Sequence, residues 1–300
     1  MTHHLSDVIK AHVYRALQDG PHLLVLGGVH GDETCGSVAA LDICACLNRG
    51  EIRLVRGALT VIPVCNPQAR ILMQRQVDMN LNRVFQHHDN PTCYEHRLAN
   101  NLVPYVQSCD YLLDLHSYGV EECGPFVFQD YDSAADHEFA QMIGIPTIVT
   151  GWPDIYGPLS AQEYQGDSVA CVHAHGKIGV VVECGQHQSL QSPIIADGCI
   201  RRALAGLALC EQTTLFPVSL DLPIAPTNRL IRACQMIRKT KEGSFSRPWK
   251  NFESVSAGTV IAQYEDGEEL IAQKDGLILL PKAAAHIGQE WYYLGKVLLS

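Results

Sequence analysis

The chain has 300 residues, 47% apolar and 18% charged, enough for one large α/β domain and a smaller one. Its net charge of −10, with no basic stretch, argues against nucleic acid as a partner, since phosphate binding needs clustered Lys and Arg. No apolar run reaches the roughly 18 residues of a membrane span, so no membrane partner is expected.

The opening "MTHHLSDVIKAHVYRAL" lacks the basic start, apolar centre and small-residue cleavage site of a signal peptide, and a cytoplasmic location is expected. The doublets His3–His4 and His87–His88 read as surface histidines. The 12 cysteines are scattered without a C-x-x-C pair and read as small buried hydrophobes rather than a disulfide framework. Along the chain, "HLLVLGG" (22–28), "ALTVIPVCN" (58–66), "YLLDLHS" (111–117), "PFVFQ" (125–129), "PTIVTGW" (146–152) and "IGVVVECG" (178–185) have the short apolar character of buried strands. Helical stretches lie between several of them: 33–50 ending in Arg–Gly, 93–109 with Pro104 expected to kink or shorten it, 132–144 opening on Asp–Ser and closing on Gly, and 193–212. This alternation implies an α/β fold, a mostly parallel or mixed sheet with helices on both faces. Near residue 215 the chain turns Pro-rich, in "FPVSLDLPIAPTN". Beyond it "RLIRACQMIRKT", "TVIAQYED", "GLILLPKA" and "WYYLGKVLL" look like short strands between Gly and Asp turns. The expected division is a catalytic domain at 1–215 and a small β-rich domain at 216–300.

Four stretches carry chemistry. In "GGVHGDETCG" (27–36), His30 sits in a glycine-set loop after a strand and Glu33 in the first turn of the next helix. An H-x-x-E pair alone is weak, because a solvated His and a Glu favoured by the helix dipole look the same. His116, at the end of another strand, is a candidate third ligand, which completes the His2Glu set of a catalytic zinc site with one position open. Asp114, two residues earlier on the same strand face, is placed to orient a metal-bound imidazole, either His116 or His30. In "NPQARILMQRQVDMNLNRVF" (66–85), Arg75, Asn82 and Arg83 are candidates for binding a carboxylate. Glu183 follows three valines, where a carboxylate is costly unless it is paired or at the strand mouth; near a metal it can serve as general base. Cys184 points to the opposite face and reads as a buried thiol.

In that order, "GGVHGDE", "NP-x-A" with "R-x-x-D-x-N-L-N-R-x-F", "DLHS" and "VECG" resemble the succinylglutamate desuccinylase/aspartoacylase family, a branch of the zinc carboxypeptidase superfamily, across about residues 22–190. The resemblance implies a zinc carboxypeptidase-like catalytic domain, with the small C-terminal domain partly covering the cleft. It implies one zinc ion per chain on His30, Glu33 and His116, Glu183 as base and acid, and Arg75 as the carbonyl-polarising arginine. It places Asn82 and Arg83 on the substrate's α-carboxylate.

Two departures stand out. Where aspartoacylases carry an arginine for the substrate's side-chain carboxylate, this chain reads "SVACVHAHGK", with His173 the nearest candidate. Where they bring a tyrosine from the C-terminal domain, "LPKAAAHIGQEWYY" has His286, with Tyr292 and Tyr293 further on. The function implied is hydrolysis of the amide bond of an N-acyl amino acid or related small amide. Rival readings are a metallocarboxypeptidase acting on peptides, a metal-binding protein without catalysis, which has no need of Glu183, and a lipoyl-like carrier, which lacks a clear modification lysine. The acyl group, the amine, the identity of the divalent ion and any homo-oligomer are left open by the sequence.

Overall fold

The computed structural model describes residues 7–119, 124–211 and 229–299. The expected boundary at 215/216 and the Pro-rich 216–228 stretch lie outside the described residues, as does the His3–His4 doublet. In chain order the elements are β1 (His12–Arg15), β2 (His22–Gly27), α1 (Cys35–Asn48), β3 (Ala58–Ile62), α2 (Pro67–Leu72), a 3-10 turn (Leu81–Arg83), α3 (Tyr94–Ser108), β4 (Tyr111–Tyr118) and β5 (Phe126–Phe128). They continue with α4 (Ala134–Ile143), β6 (Thr147–Thr150), α5 (Trp152–Tyr156), α6 (Ser168–Ala174), β7 (Ile178–Gln186) and α7 (Gln191–Gly206). The C-terminal strands are β8 (Arg229–Arg238), β9 (Gly243–Phe245), β10 (Glu253–Val255), β11 (Val260–Tyr264), β12 (Glu269–Ile271), β13 (Gly276–Leu279) and β14 (Glu290–Leu299).

Strands β3, β2, β4 and β7 are parallel neighbours, with β1 antiparallel on the outer edge of β3. The alternation of side chains along them explains why both faces are apolar. Leu23 and Val25 point with Leu113, Leu115, Val180 and Val182 into a core covered by α1, α4 and α7. Leu24, Leu26 and Leu112 point the other way, into a core under α3 and α6. A doubly covered sheet needs apolar residues at every position, and these strands supply them.

The sheet is mixed rather than uniformly parallel. Strand β5 runs antiparallel to β7, and β6 runs parallel to both β5 and β8. Through β8 the sheet continues into the C-terminal strands in the order β8-β14-β13-β10, eleven strands in one surface, while β9, β11 and β12 form a separate antiparallel sheet. The C-terminal β-rich part is therefore stitched to the preceding parallel strands by main-chain hydrogen bonds.

Two local expectations are corrected. Helix α3 runs through Pro104 to Ser108 without stopping. Its buried stripe of Leu98, Leu102, Val103 and Val106 outweighs the missing hydrogen bond one turn from the end. Glu33 is not in the first turn of α1 but just before it, because Thr34 is the N-cap. Among the described residues no helix is long and apolar enough to cross a membrane, and eleven cysteines are free thiols, most of them buried.

Candidate active site

The site lies at the carboxyl ends of β2, β4 and β7, where parallel strands leave the sheet. Beyond β2 the chain must bend at once to reach α1. Gly28 takes a φ of +59°, which side-chain-bearing residues resist. Gly31 lies against the backbone of α2, where a Cβ would come within 2.0 Å of the Ala69 carbonyl carbon. The loop is thus clamped between α2 and α1, with His30 and Glu33 both buried beneath it. Strand register brings in the rest. His116 of β4 pairs with Glu183 of β7, so imidazole and carboxyl stand side by side on one face. Cys184 faces the opposite core, as its position next to Glu183 requires.

Glu33 is the hub. Its Oε1 lies 2.7 Å from His30 Nδ1 and accepts from Arg75 at 2.9 Å. Its Oε2 lies 2.9 Å from His116 Nδ1 and accepts the Ser117 N–H at 3.0 Å. The two Nδ1 atoms therefore converge on one carboxylate, and the ligand atoms of His30, Glu33 and His116 all lie within 4.8 Å of one another. The far nitrogen of His30 is hydrogen-bonded from outside, while that of His116 has a carboxylate close by but no hydrogen bond among the described residues. His30 Nε2 lies 2.9 Å from Asn80 Oδ1, and His116 Nε2 lies 3.0 Å from Asp114 Oδ2, which accepts from Ser168 Oγ at 2.6 Å. Asp114 thus serves His116 and not His30. Asn80 was not anticipated as the partner of His30; its only trace in the sequence is its place in the Asn-rich "DMNLNR" loop.

Charge follows from this packing. Burial, and then Arg75, push the His30 imidazole down to about 4, so it is neutral. Burial opposes the charged form of Glu33, but His30 and His116 outweigh it and hold the carboxyl well below its usual range. His116 is also disfavoured as a cation by burial, yet Asp114 and Glu33 on either side raise it well above the ordinary imidazole value. Burial, followed by repulsion from Glu33, pushes the Glu183 carboxyl up to about 8. Its Oε2 is sealed from solvent and has no hydrogen-bond partner among the described residues. Two imidazoles converging on one ionised carboxylate, with an orphaned carboxyl oxygen of Glu183 on the neighbouring strand, fit a divalent ion with one open position. Each missing piece is what such an ion and its water supply.

The remaining candidates lie along a second group. Arg75 is half-exposed and reaches Glu33 from the rim. Asn82 is buried, and its Oδ1 accepts the Ser168 N–H at 3.0 Å, holding the start of α6. Arg83 Nη1 donates to the Asn82 carbonyl at 2.8 Å; Nη2 donates to Tyr156 Oη at 2.7 Å and lies 3.4 Å from Glu290 Oε1. Tyr293 Oη stands 3.1 Å from Tyr156 Oη. The C-terminal strand thus brings Glu290 and Tyr293 to Arg83, while His286 lies exposed in the preceding turn and Tyr292 packs into the C-terminal core. His173 touches none of His30, Glu33 and His116: its Nε2 is 2.8 Å from Asp136, and its ring stacks on Tyr131 at 3.6 Å.

With the geometry in place, known proteins can be compared. The solved structure titled succinylglutamate desuccinylase/aspartoacylase from Rhodobacter sphaeroides superposes with a TM-score of 0.75 at 20% identity, covering 97% of this chain and 90% of that one. A succinylglutamate desuccinylase from Silicibacter sp. TM1040 gives 0.72 at 21% identity, covering 96% and 88%. The product-bound ectoine utilization protein EutE (DoeB) from Ruegeria pomeroyi gives 0.74 at 21% identity, covering 95% and 88%. At such identities these likenesses establish the fold. No curated protein sequence matches the chain. The family model of the succinylglutamate desuccinylase/aspartoacylase catalytic domain matches residues 19–199, more than half of the chain, and the chain therefore belongs to the succinylglutamate desuccinylase/aspartoacylase family.

Proposed function

We propose that this chain is a zinc-dependent amidohydrolase that removes the acyl group from a small N-acyl amino acid. The observation that carries the reading is the register pair His116–Glu183, which sets a carboxyl with an orphaned oxygen beside one of the three converging donors. His30, Glu33 and His116 would hold the zinc, which would supply a Lewis acid and lower the pKa of bound water from 15.7 to roughly 7. The protein's own residues do the rest. Glu183 takes the proton of the attacking water and returns it to the leaving amine, a transfer that contributes ~10²–10⁴-fold. A carboxyl held near 8 without a cation becomes a competent base when positive charge is brought beside it. Arg75, anchored on Glu33 but open to the rim, stabilises negative charge growing on the carbonyl oxygen. Asn82 and Arg83 hold the substrate's α-carboxylate, and the local positive field lets a chain of net charge −10 bind an anionic group. His173, paired with Asp136, is the candidate for contact with the substrate's side chain.

The test is Glu183→Gln, an isosteric change that removes the base and keeps the shape. On a panel of N-acyl amino acids the zinc-loaded variant should lose ~10²–10⁴ in kcat with zinc content unchanged. Activity equal to the parent would remove Glu183 from the mechanism, and turnover of peptides in preference to the panel would point to a carboxypeptidase instead.

A further inference from the structure

Glu95 is a carboxylate that the proposed chemistry does not use, and it is fully buried in the first turn of α3. The helix dipole accounts for an acidic residue near an N-terminus but not for its removal from water, which is costly unless donors replace the water. Here they do. Oε1 accepts the Val77 N–H at 2.8 Å and Asn66 Nδ2 at 3.2 Å, and Oε2 accepts the Asp78 and Met79 N–H groups at 3.1 and 3.0 Å. In return Asp78 Oδ2 accepts the Tyr94 N–H at 2.8 Å, so loop and helix hold each other from both sides.

The consecutive N–H groups of Val77, Asp78 and Met79 belong to the stretch between α2 and the 3-10 turn, which has no helix or strand of its own to fix it. That stretch touches the loop of His30 at both ends. The Arg75 carbonyl accepts the Gly31 N–H at 3.3 Å, and Asn80 Oδ1 lies 2.9 Å from His30 Nε2. Asn80 Oδ1 also accepts the Asn82 N–H at 2.9 Å. A backbone N–H only donates, so the atom it shares with the imidazole is the amide oxygen, and His30 Nε2 must carry a proton. That leaves Nδ1, 2.7 Å from Glu33 Oε1, as the ligand atom of the ring.

We propose that Glu95 is a positioning residue for the metal site: by gripping the Val77, Asp78 and Met79 N–H groups it sets Asn80, and through Asn80 the tautomer and orientation of His30. The inference deepens the amidohydrolase reading and rests on it for the bound zinc. The grip needs two acceptor oxygens. A glutamine of the same shape presents one oxygen and one NH2, so one pair of the donors around it would face another donor. The loop would shift, and Asn80 would leave the Nε2–H of His30 without the acceptor that fixes the ring. Outer partners of a metal-bound imidazole are typically worth ~10–100-fold in metal affinity.

The experiment measures the zinc Kd by chelator competition, without substrate, in the parent, Glu95→Gln, Asn80→Ala, the double variant and Leu102→Ala. Glu95→Gln and Asn80→Ala should each weaken zinc binding by ~10–100-fold. The double variant should bind no more weakly than the weaker single variant, because both changes break one path. Asn80→Asp, which keeps an oxygen between the Asn82 and His30 N–H groups, should restore the affinity lost in Asn80→Ala. Leu102→Ala, a change in the buried stripe further along α3, should lower Tm and leave Kd at the parent value. Should Glu95→Gln not fold, Glu95→Asp takes its place, with its oxygens held a methylene short of the loop. Parent-like zinc affinity in the Glu95 variant, a double variant whose loss is the product of the single losses, or an equal loss in Leu102→Ala would overturn the assignment. The expected pattern in a protein that hydrolyses no amide would support it and sink the amidohydrolase reading alone.

Discussion

The cluster at Glu33 and the cluster at Arg83 are both built from buried or half-buried polar groups, yet they are assembled in different ways. Around Glu33 every contact comes from a loop or strand end of the parallel sheet, and each polar atom of the carboxylate has two partners. Around Arg83 the partners come from α5 and from the far end of the chain, through Tyr156, Tyr293 and Glu290. The first cluster is a rigid set with its charges balanced except for Glu183. The second is a seam between the catalytic sheet and the C-terminal strands. In the proposed enzyme, chemistry belongs to the rigid set and the hold on the substrate's α-carboxylate to the seam.

If that division holds, the largest effects should come from the Glu33 cluster. His116→Ala removes one donor and leaves Glu33 and Asp114 facing each other. Zinc content should fall from one per chain toward none, the rise in Tm on adding zinc should vanish, and activity should be lost by at least as much as in Glu183→Gln. Retained stoichiometric zinc in His116→Ala would break the comparison at its strongest point. Arg75→Ala comes next. Its guanidinium meets Glu33 with only one of its nitrogens and is half-exposed, so the loss should appear in kcat, ~10²–10³-fold, with zinc affinity little altered. An Arg75 variant that changed only KM would move that residue from the chemistry to the binding seam.

The two clusters also differ in how far they can be read from sequence. His30, Glu33, His116 and Glu183 each sit in a short motif at the end of an apolar strand, where strand parity and glycine-permitted turns dictate which way a side chain points. Parity also linked Asp114 to a strand-end imidazole, and only the fold showed that it serves His116. Asn80 escaped notice because its role depends on the orientation of the His30 ring, which no local pattern encodes. The seam was less legible still. Glu290 lies 207 residues from Arg83, and their meeting depends on β14 pairing with β8 and β8 with β6. The sheet continues into the C-terminal part through the ten-residue strands β8 and β14, and nothing local in either strand encodes that β8 pairs with β6, so this continuity was hidden. His286, chosen by nearness in sequence to the expected tyrosine, lies in an exposed turn, and Tyr293 reaches the seam together with Glu290, three residues earlier, because a register shift between Glu290 and Tyr292 interrupts the alternation of β14.

The smallest effect isolates the seam from the metal. Burial opposes the Glu290 carboxylate, but Lys282 and Arg83 outweigh it and hold it down to about 2. A depressed folded-state pKa contributes stability that is fully present above the unfolded value near 4.3 and is lost as pH falls toward 2. Glu290 is only 20% exposed, so solvent screens the pair partly, and the contribution at neutral pH is on the order of 2 kcal/mol. Glu290→Gln should therefore unfold at lower urea than the parent at pH 7, and the gap should narrow steadily between pH 4.5 and 2. Zinc content at pH 7 should not change, because Glu290 touches none of the three ligand residues. A gap that is constant with pH would show that the stability of the seam comes from packing of Tyr156 and Tyr293 rather than from charge, and a fall in zinc content would show that seam and metal set are one cooperative unit.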